Sequence, residues 1–481
     1  MIDVRPVAHI LGWISGLVGV LLMMPAIADL MVHNRDWVPF AMSGALAVFI
    51  GLALVLSTLS SMSLTLDLRQ AFLATIFGWL AVSVLGAIPF LSLSIEPVDA
   101  LFESVSGVTT TGSTVLVGLD TMPPGILLWR AILQWIGGIG IIAVAVLILP
   151  LLRVGGMQLF KIESSDISPE KVASALKTIV TLLSVYVILT ALCAALFFEF
   201  GMNGFDAITH AMATLSTGGY STHDASFAYF TDLRLHWVAT IFMILGALPF
   251  VLYIQTIYGR PKALFKDQQV RGFIGFLVVL CVGMAFWLQS VRDISFGQAL
   301  TLTSFNLTSV VTTTGFATED YSVWGPGAMA IFLFAMFVGG CSGSTSGAIK
   351  VYRFQVVLLV VRAHVKRLFS PNRVIPIHYN GKVLTNDVAM SVLAFLAVFI
   401  ATIGFVTIIL GLLGLDLVTA YTASLTAITN VGPGLGPIVG PAGNFASLPD
   451  AAKAVLVVAM LAGRLEVLAL LVAFDRDFWR N

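Results

Sequence analysis

The chain has 481 residues, of which 58% are hydrophobic and only 10% charged, and its 25 basic and 25 acidic side chains cancel to a formal net charge of zero. Soluble domains carry about 25% charged residues, so this composition excludes a soluble globular protein and points to a membrane. No basic tract extends beyond short loops, which removes the electrostatic footprint of a nucleic-acid binder.

From the N-terminus, residues 7–31 form an apolar run with Arg5 as its only basic flank. Ala26-Ile27-Ala28 resembles a signal-peptidase site, but the run exceeds the usual signal core of about 7–15 residues, so an uncleaved membrane helix is expected. Further apolar spans fall at 38–60, 70–93, 126–152, 178–200, 236–258, 272–290, 387–413 and 452–474. The stretch 326–363 is too long for one unbroken crossing at about 1.5 Å per residue and is expected to be interrupted. Together these give about ten crossings of roughly 30 Å of hydrocarbon. Shorter helices near 98–109, 204–215, 298–311 and 417–428 cannot span that thickness and are expected to be re-entrant.

Lysine and arginine set the orientation. One set of loops carries Arg5, Arg69, Arg153, Lys161, Lys171, Lys177, Arg260, Lys262, Lys266, Arg271, Arg362, Lys366, Arg367, Arg373, Lys382, Arg476 and Arg480. The opposite face has only Arg35, Arg130, Arg234, Arg292 and Lys453. Both termini are therefore expected in the cytoplasm, with the re-entrant segments facing outward.

Each short helix runs into a small polar motif that ends in glycine: Thr109-Thr110-Thr111-Gly112, Ser216-Thr217-Gly218-Gly219, Thr312-Thr313-Thr314-Gly315 and Thr429-Asn430-Val431-Gly432. The motifs recur roughly every hundred residues, as repeated structural units around an axis would. A bilayer tolerates irregular backbone only where protein or a watery cavity covers it. A ring of backbone carbonyls can replace the hydration shell of a cation such as potassium, and glycine reaches the dihedrals this needs. Candidate filter residues are Thr110, Thr111, Gly112, Ser216, Thr217, Gly218, Thr313, Thr314, Gly315, Asn430, Val431 and Gly432. A single Thr-Thr-Gly would be no more than a helix cap; four on one membrane face favour a cation pore. The helix C-termini would add partial negative charge at the bilayer centre. Glu96, Asp99, Glu103, Asp120, Asp206, Asp224, Asp232, Glu319, Asp320 and Asp450 surround the outer mouth, where they either draw cations in or serve as ordinary caps.

The interruption in 326–363 reads Gly339-Gly340-Cys341-Ser342-Gly343-Ser344-Thr345-Ser346-Gly347, followed by Lys350. So many small residues make a poor helix, and an intramembrane loop is expected, with close helix packing as the alternative. Arg464 sits within the last apolar span, where a charge normally faces protein or water and marks function. It could oppose cation passage or pair with acidic or carbonyl groups near the loop. Cys193, Cys281 and Cys341 fit no metal spacing and are expected to be inert thiols. His210 is expected to pack; the other histidines (His9, His33, His223, His236, His364 and His378) are scattered. No nucleotide-binding loop or catalytic constellation is present in the sequence.

Residues 108–115, 213–221, 309–318 and 427–437 resemble the four pore loops of the Trk/Ktr/HKT superfamily of cation transporters. With two extra N-terminal helices, the chain looks most similar to bacterial TrkH and TrkG potassium-uptake subunits. The resemblance implies an all-α polytopic membrane protein, not an enzyme. It would have two N-terminal helices (1–65) and four pseudo-symmetric helix–pore loop–helix repeats at 66–155, 156–262, 263–370 and 371–481. It implies a potassium filter with one glycine per repeat (Gly112, Gly218, Gly315 and Gly432), residues 339–347 as a gate, and Arg464 in the conduction path. Glycine rather than serine in the first motif leans towards potassium. Also implied are an inner-membrane location, a homodimer, and a cytoplasmic ring-forming TrkA-like regulatory subunit that binds nucleotide. The basic loops at 153–177, 260–271 and 362–382 would be its surface, and no covalent cofactor is expected. A sodium-permeable or ion-coupled symporter of the same superfamily stays open. A secondary transporter of a small polar solute would instead need a two-part inverted repeat around a midplane pocket.

Overall fold

The computed structural model describes residues 2–59, 67–147, 169–372 and 375–480. Arg153, Lys161, Arg373 and the side chain of Lys171 lie outside the described residues.

The N-terminal run is nearly continuous, as α1 (Arg5–Leu21) and α2 (Met23–Met31), and is followed by α3 (Trp37–Thr58). Helices α1 and α3 pack backbone to backbone because glycines face each other. A Cβ on Gly19 would lie 2.7 Å from the carbonyl of Gly44, and one on Gly51 2.6 Å from that of Gly12. Small residues drive helix association where lipid tails are as apolar as leucine. The other face of α3 exposes Met42, Phe49, Leu52 and Leu56, a surface suited to lipid.

Next come α4 (Leu68–Ala87), α5 (Pro97–Val108), α6 (Pro124–Leu147), α7 (Pro169–Glu199), α8 (Gly204–Leu215), α9 (Leu233–Gly246) and α10 (Phe250–Ile257). The second half holds α11 (Gln268–Val291), α12 (Phe296–Val311), α13 (Pro326–Ala335), α14 (Val351–Phe369), α15 (Asn386–Leu412), α16 (Leu417–Thr429), α17 (Asp450–Arg464) and α18 (Val467–Phe474). A hairpin, β1 (His378–Tyr379) with β2 (Lys382–Val383), turns through Asn380 and Gly381, both at positive φ, as a two-residue hairpin loop requires.

Among the described residues, seven helices or helix pairs are long and apolar enough to cross a membrane unaided, and α9 with α10 forms an eighth span bent by 89°. The remaining two of the ten expected spans are broken helices, α13–α14 and α17–α18. Two of the three breaks have a local cause. Pro249 has no N–H to continue α9 and disfavours helical geometry in the residue before it. In the last span Glu466 sits at φ 59°, so the helix expected to run through Arg464 stops there instead. The protein is a multi-pass, all-α membrane protein.

Three of the four short helices start on side-chain caps, and the first starts on a proline. Pro97 opens α5, Asn203 accepts from the Asp206 N–H, Ser295 and Gln298 form a capping box, and Asp416 accepts from Val418 and Thr419. With 12, 12, 16 and 13 residues they are too short to cross.

Candidate functional site

Helices α5, α8, α12 and α16 all end in the same way. The residue past the last turn is left-handed in each: Thr110 (φ 53°), Thr217 (52°), Thr313 (60°) and Asn430 (55°). The next N–H reaches back five residues, from Thr111 to Ser106 (2.8 Å), Gly218 to Ala213 (2.9 Å), Thr314 to Ser309 (2.8 Å) and Val431 to Thr426 (3.1 Å). This is the Schellman ending, normally built on glycine. A side chain in left-handed backbone costs about 1–2 kcal/mol, and three of these positions are β-branched threonines.

Two residues beyond the first left-handed residue the backbone is again at positive φ, at Gly112 (86°), Gly219 (76°), Gly315 (84°) and Gly432 (102°). This corrects the register read from the sequence: Gly219, not Gly218, is the counterpart of Gly112, Gly315 and Gly432. Gly218 stands where the other motifs have Thr111, Thr314 and Val431.

These glycines close a ring. A Cβ on Gly112 would collide with the carbonyl oxygen of Gly218, one on Gly219 with that of Thr314, and one on Gly315 with that of Val431. One on Gly432 would lie 2.7 Å from that of Thr111, which returns to the start. Each motif therefore abuts the next in cyclic order, with a carbonyl at every seam, and four helix C-termini bring their partial negative charge to it. Three further glycines allow this convergence: Gly137, Gly246 and Gly463 lie against the carbonyls of Val108, Leu215 and Ile428, the same position in each motif. On one side the ring opens into a cavity of about 560 Å³ lined by Gly112, Ser113, Gly219, Tyr220, Gly315 and Gly432.

The segment rising from each motif is pinned to its own short helix by a residue seven before the left-handed position. Glu103 accepts from the Val115 N–H (3.0 Å), Asn306 from that of Thr318 (3.1 Å), and His210 Nε2 meets Ser221 Oγ (3.0 Å). In the fourth motif this position is Ala423, and Thr422 donates to the Leu435 carbonyl instead (3.2 Å). His210 is thus a packed, hydrogen-bonded residue. The pattern was open to sequence reasoning only by counting seven residues back from each motif, because the four side chains differ in chemistry.

The outer carboxylates are mostly committed. Glu103 is buried and paired with Arg130 at 2.7 Å, and Asp99 and Asp450 pair with Lys453 at 2.6 and 3.4 Å. Glu319 pairs with Arg292, and Asp232 with Arg234. His223 lies between Asp120 (2.5 Å) and Asp206 (3.2 Å), and its hydrogen bond holds the Asp120 carboxyl below the usual range. Asp224 and Asp320 accept backbone N–H groups. Most of these acids are therefore caps and ties.

Residues 339–347 form a loop on the side of the ring opposite the large cavity. Gly347 N–H donates to Thr313 Oγ1 (2.7 Å), Ala348 N–H to the Thr429 carbonyl (2.8 Å), and Thr217 Oγ1 to Thr345 Oγ1 (3.2 Å). The loop also satisfies the carbonyls freed by the α9 break, since Thr345 and Cys341 donate to Gly246 (3.2 Å) and Ala247 (2.9 Å). Gln269 Oε1 holds the Ser342 N–H at 2.6 Å. Arg464 donates from Nη1 to the Thr345 carbonyl (2.9 Å), while its Nε and Nη2 are buried with no hydrogen-bond partner among the described residues. Lys350 Nζ bonds the Ser346 carbonyl. Glu466 pairs with Arg353 (2.7 Å) rather than with Arg464. These charges line a cavity of only about 30 Å³ against the loop.

Fold and site define a polytopic membrane protein with four like motifs closed about one constriction and a loop set against it. The chain belongs to the TrkH family, described as cation transport protein, whose model matches residues 40–480. It is 42% identical to the Trk system potassium uptake protein TrkI of Halomonas elongata, over 99% of this chain and 97% of that one. It is 36% identical to the Trk system potassium uptake protein TrkH of Vibrio parahaemolyticus, over 99% of both. The crystal structure of the potassium transporter TrkH from Vibrio parahaemolyticus superposes with a TM-score of 0.91 at 34% identity, over the whole of both chains. The protein is a transporter and no enzyme.

Proposed function

We propose that this protein takes up potassium across the bacterial inner membrane, with the glycine-seamed ring as its selectivity filter. The carrying observation is the cyclic contact of four like motifs, Gly112 to Gly218, Gly219 to Thr314, Gly315 to Val431 and Gly432 to Thr111. A closed ring of backbone oxygens at four helix C-termini suits a dehydrated monovalent cation. The kinship with potassium-uptake proteins supports potassium as the transported ion.

In this reading one protomer holds one complete pore. Residues 1–65 precede four repeats at 66–155, 156–262, 263–370 and 371–481. The loop 339–347, with Lys350 and Arg464 against it, is the gate. Both termini face the cytoplasm, the protein is a homodimer, and a TrkA-like nucleotide-binding subunit acts on the cytoplasmic loops.

Rubidium and sodium flux through purified protein in liposomes tests the filter. Serine in place of Gly112, Gly219, Gly315 or Gly432 should each lower the rubidium/sodium ratio, because the new Cβ meets the next motif's carbonyl. Folded variants with the parent's ratio at all four positions would refute the filter. Repeating the flux under an imposed proton gradient separates a channel from a coupled symporter.

A further inference from the structure

The geometry points to Gln134 of α6 as a positioning residue for selectivity: its side-chain amide, supplied by the first repeat, holds the filter segment of the second. This rests on the filter reading above. Gln134 is fully buried. Its Nε2 donates to the Gly218 carbonyl at 2.6 Å, and its Oε1 accepts from the Tyr220 N–H at 3.0 Å. One carbonyl and one N–H fix which end of the amide is which, so both hydrogen bonds are made in a single orientation. The amide serves the segment 218–220 as a neighbouring β-strand would.

The same contact explains why the second motif has an additional glycine. A Cβ on Gly218 would collide with the Gln134 amide, whose Oε1 and Nε2 would lie only 2.6 and 2.7 Å away. The first and third motifs keep a threonine at that position and use it, while the fourth has Val431. Thr111 Oγ1 meets Thr109 Oγ1 at 2.7 Å, and Thr314 Oγ1 meets Thr312 Oγ1 at 2.8 Å. The second motif cannot make this clasp, because its residue at that position has no side chain. Gln134 takes over, and Arg130, one turn earlier on α6, adds a bond to the Ser221 carbonyl at 2.7 Å. Helix α6 comes close enough to do this because Gly138 has no side chain: a Cβ there would lie 3.0 Å from Ser216 Cα.

The Gly218 carbonyl is also the seam that faces Gly112. Without the Gln134 donor the peptide linking Gly218 to Gly219, both free of side chains, can rotate, and the spacing of one quarter of the ring goes with it. The exchange of devices predicts a reciprocal pair. Gln134→Ala should lower the rubidium/sodium flux ratio by about fivefold, the size of one net hydrogen bond. Gly218→Thr alone should also lower it, since the threonine collides with Gln134. The two together should recover most of the parent's ratio, because the threonine can clasp Ser216 as Thr111 clasps Thr109. Should Gln134→Ala not fold, Gln134→Met keeps the volume without the donor and acceptor, and the same loss is expected.

Gly315→Ser in the same liposomes separates the two ideas. If it lowers the ratio while folded Gln134→Ala and Gln134→Met keep the parent's, the role of Gln134 is overturned and the filter stands. If Gly315→Ser and the serine variants of the other three ring glycines also leave the ratio untouched, the filter reading itself has failed. A double variant no more selective than Gln134→Ala would likewise overturn the exchange.

Discussion

Thr110, Thr217 and Thr313 occupy backbone that β-branched residues avoid, so no propensity argument could have placed the left-handed turn on them. The glycines were legible because positive φ and close approach both select for them, yet the double glycine of the second motif hid which one belongs to the ring. The backbone resolves that ambiguity, since Gly219 and not Gly218 has the positive φ, and Gly218 instead faces Gln134, some eighty residues earlier in the chain. Arg464 was legible for a different reason, as an isolated charge in apolar sequence. Its partner, the Thr345 carbonyl, was not, because a backbone acceptor leaves no mark in composition. The Nε and Nη2 of Arg464 have no hydrogen-bond partner among the described residues, so no carboxylate hydrogen-bonded to them offsets its charge towards a cation in the proposed pathway. At an effective dielectric of about 20 and about 6 Å, the repulsion is about 3 kcal/mol before screening by water. Arg464→Ala should raise potassium flux by about 5- to 30-fold if screening leaves 1–2 kcal/mol, with the rubidium/sodium ratio unchanged. Arg464→Lys keeps charge without the planar fork: parent-like flux would identify a charge barrier, and high flux a lost tie to the loop. Parent-like flux in both variants would remove Arg464 from the conduction path.

At the scale of elements, the loop 339–347 was visible as a run of small residues that no helix would choose, but its docking was not. Beside the side chains of Thr217, Thr313 and Gln269, its anchors are backbone carbonyls that become available because Pro249 breaks α9 and the short helices end where they do. Three elements distant in sequence thus meet through carbonyls, which leave no side-chain signature. Gly347 is the tightest of these contacts. A Cβ there would collide with the Thr429 carbonyl and come within 3.1 Å of Asn430 Cβ. Gly347→Ala should therefore push the loop off the ring and raise rubidium flux severalfold without altering the rubidium/sodium ratio. Removing residues 341–346 should act in the same direction and more strongly. Flux at the parent's level in both folded variants would show that the loop packs the interior without obstructing it.

For the molecule as a whole, hydropathy located seven crossing helices and an eighth bent one among the described residues, because a bilayer demands about 20 apolar residues per span. It could not say how the leading helices attach to the rest of the chain, to which one buried carboxylate contributes. Asp29, near the end of α2, is fully buried, and its Oδ1 accepts the Gly125 N–H at 2.7 Å, on the second residue of α6. An N–H in the first turn of a helix has no partner within it, so Asp29 caps α6 from another element, where the helix dipole also favours a negative group. Gly125 leaves it room: a Cβ there would collide with the Asp29 carboxylate. The capped helix carries Arg130, Gln134, Gly137 and Gly138, so the leading helices brace the element that supports two of the four motifs. Losing such a cap costs about 1–2 kcal/mol, which for a chain of this size is a shift of a few degrees at most in the unfolding midpoint. Asp29→Ala should lower the midpoint in detergent. Asp29→Asn, which keeps an acceptor but not the charge, should lower it less, and Gly125→Ala should match the Ala variant by expelling the carboxylate. The rubidium/sodium ratio should hold in all three, since the contacts of α6 with the ring lie about one to four turns further along. An unchanged midpoint in both Asp29→Ala and Gly125→Ala would show that this carboxylate does not hold the leading helices to α6.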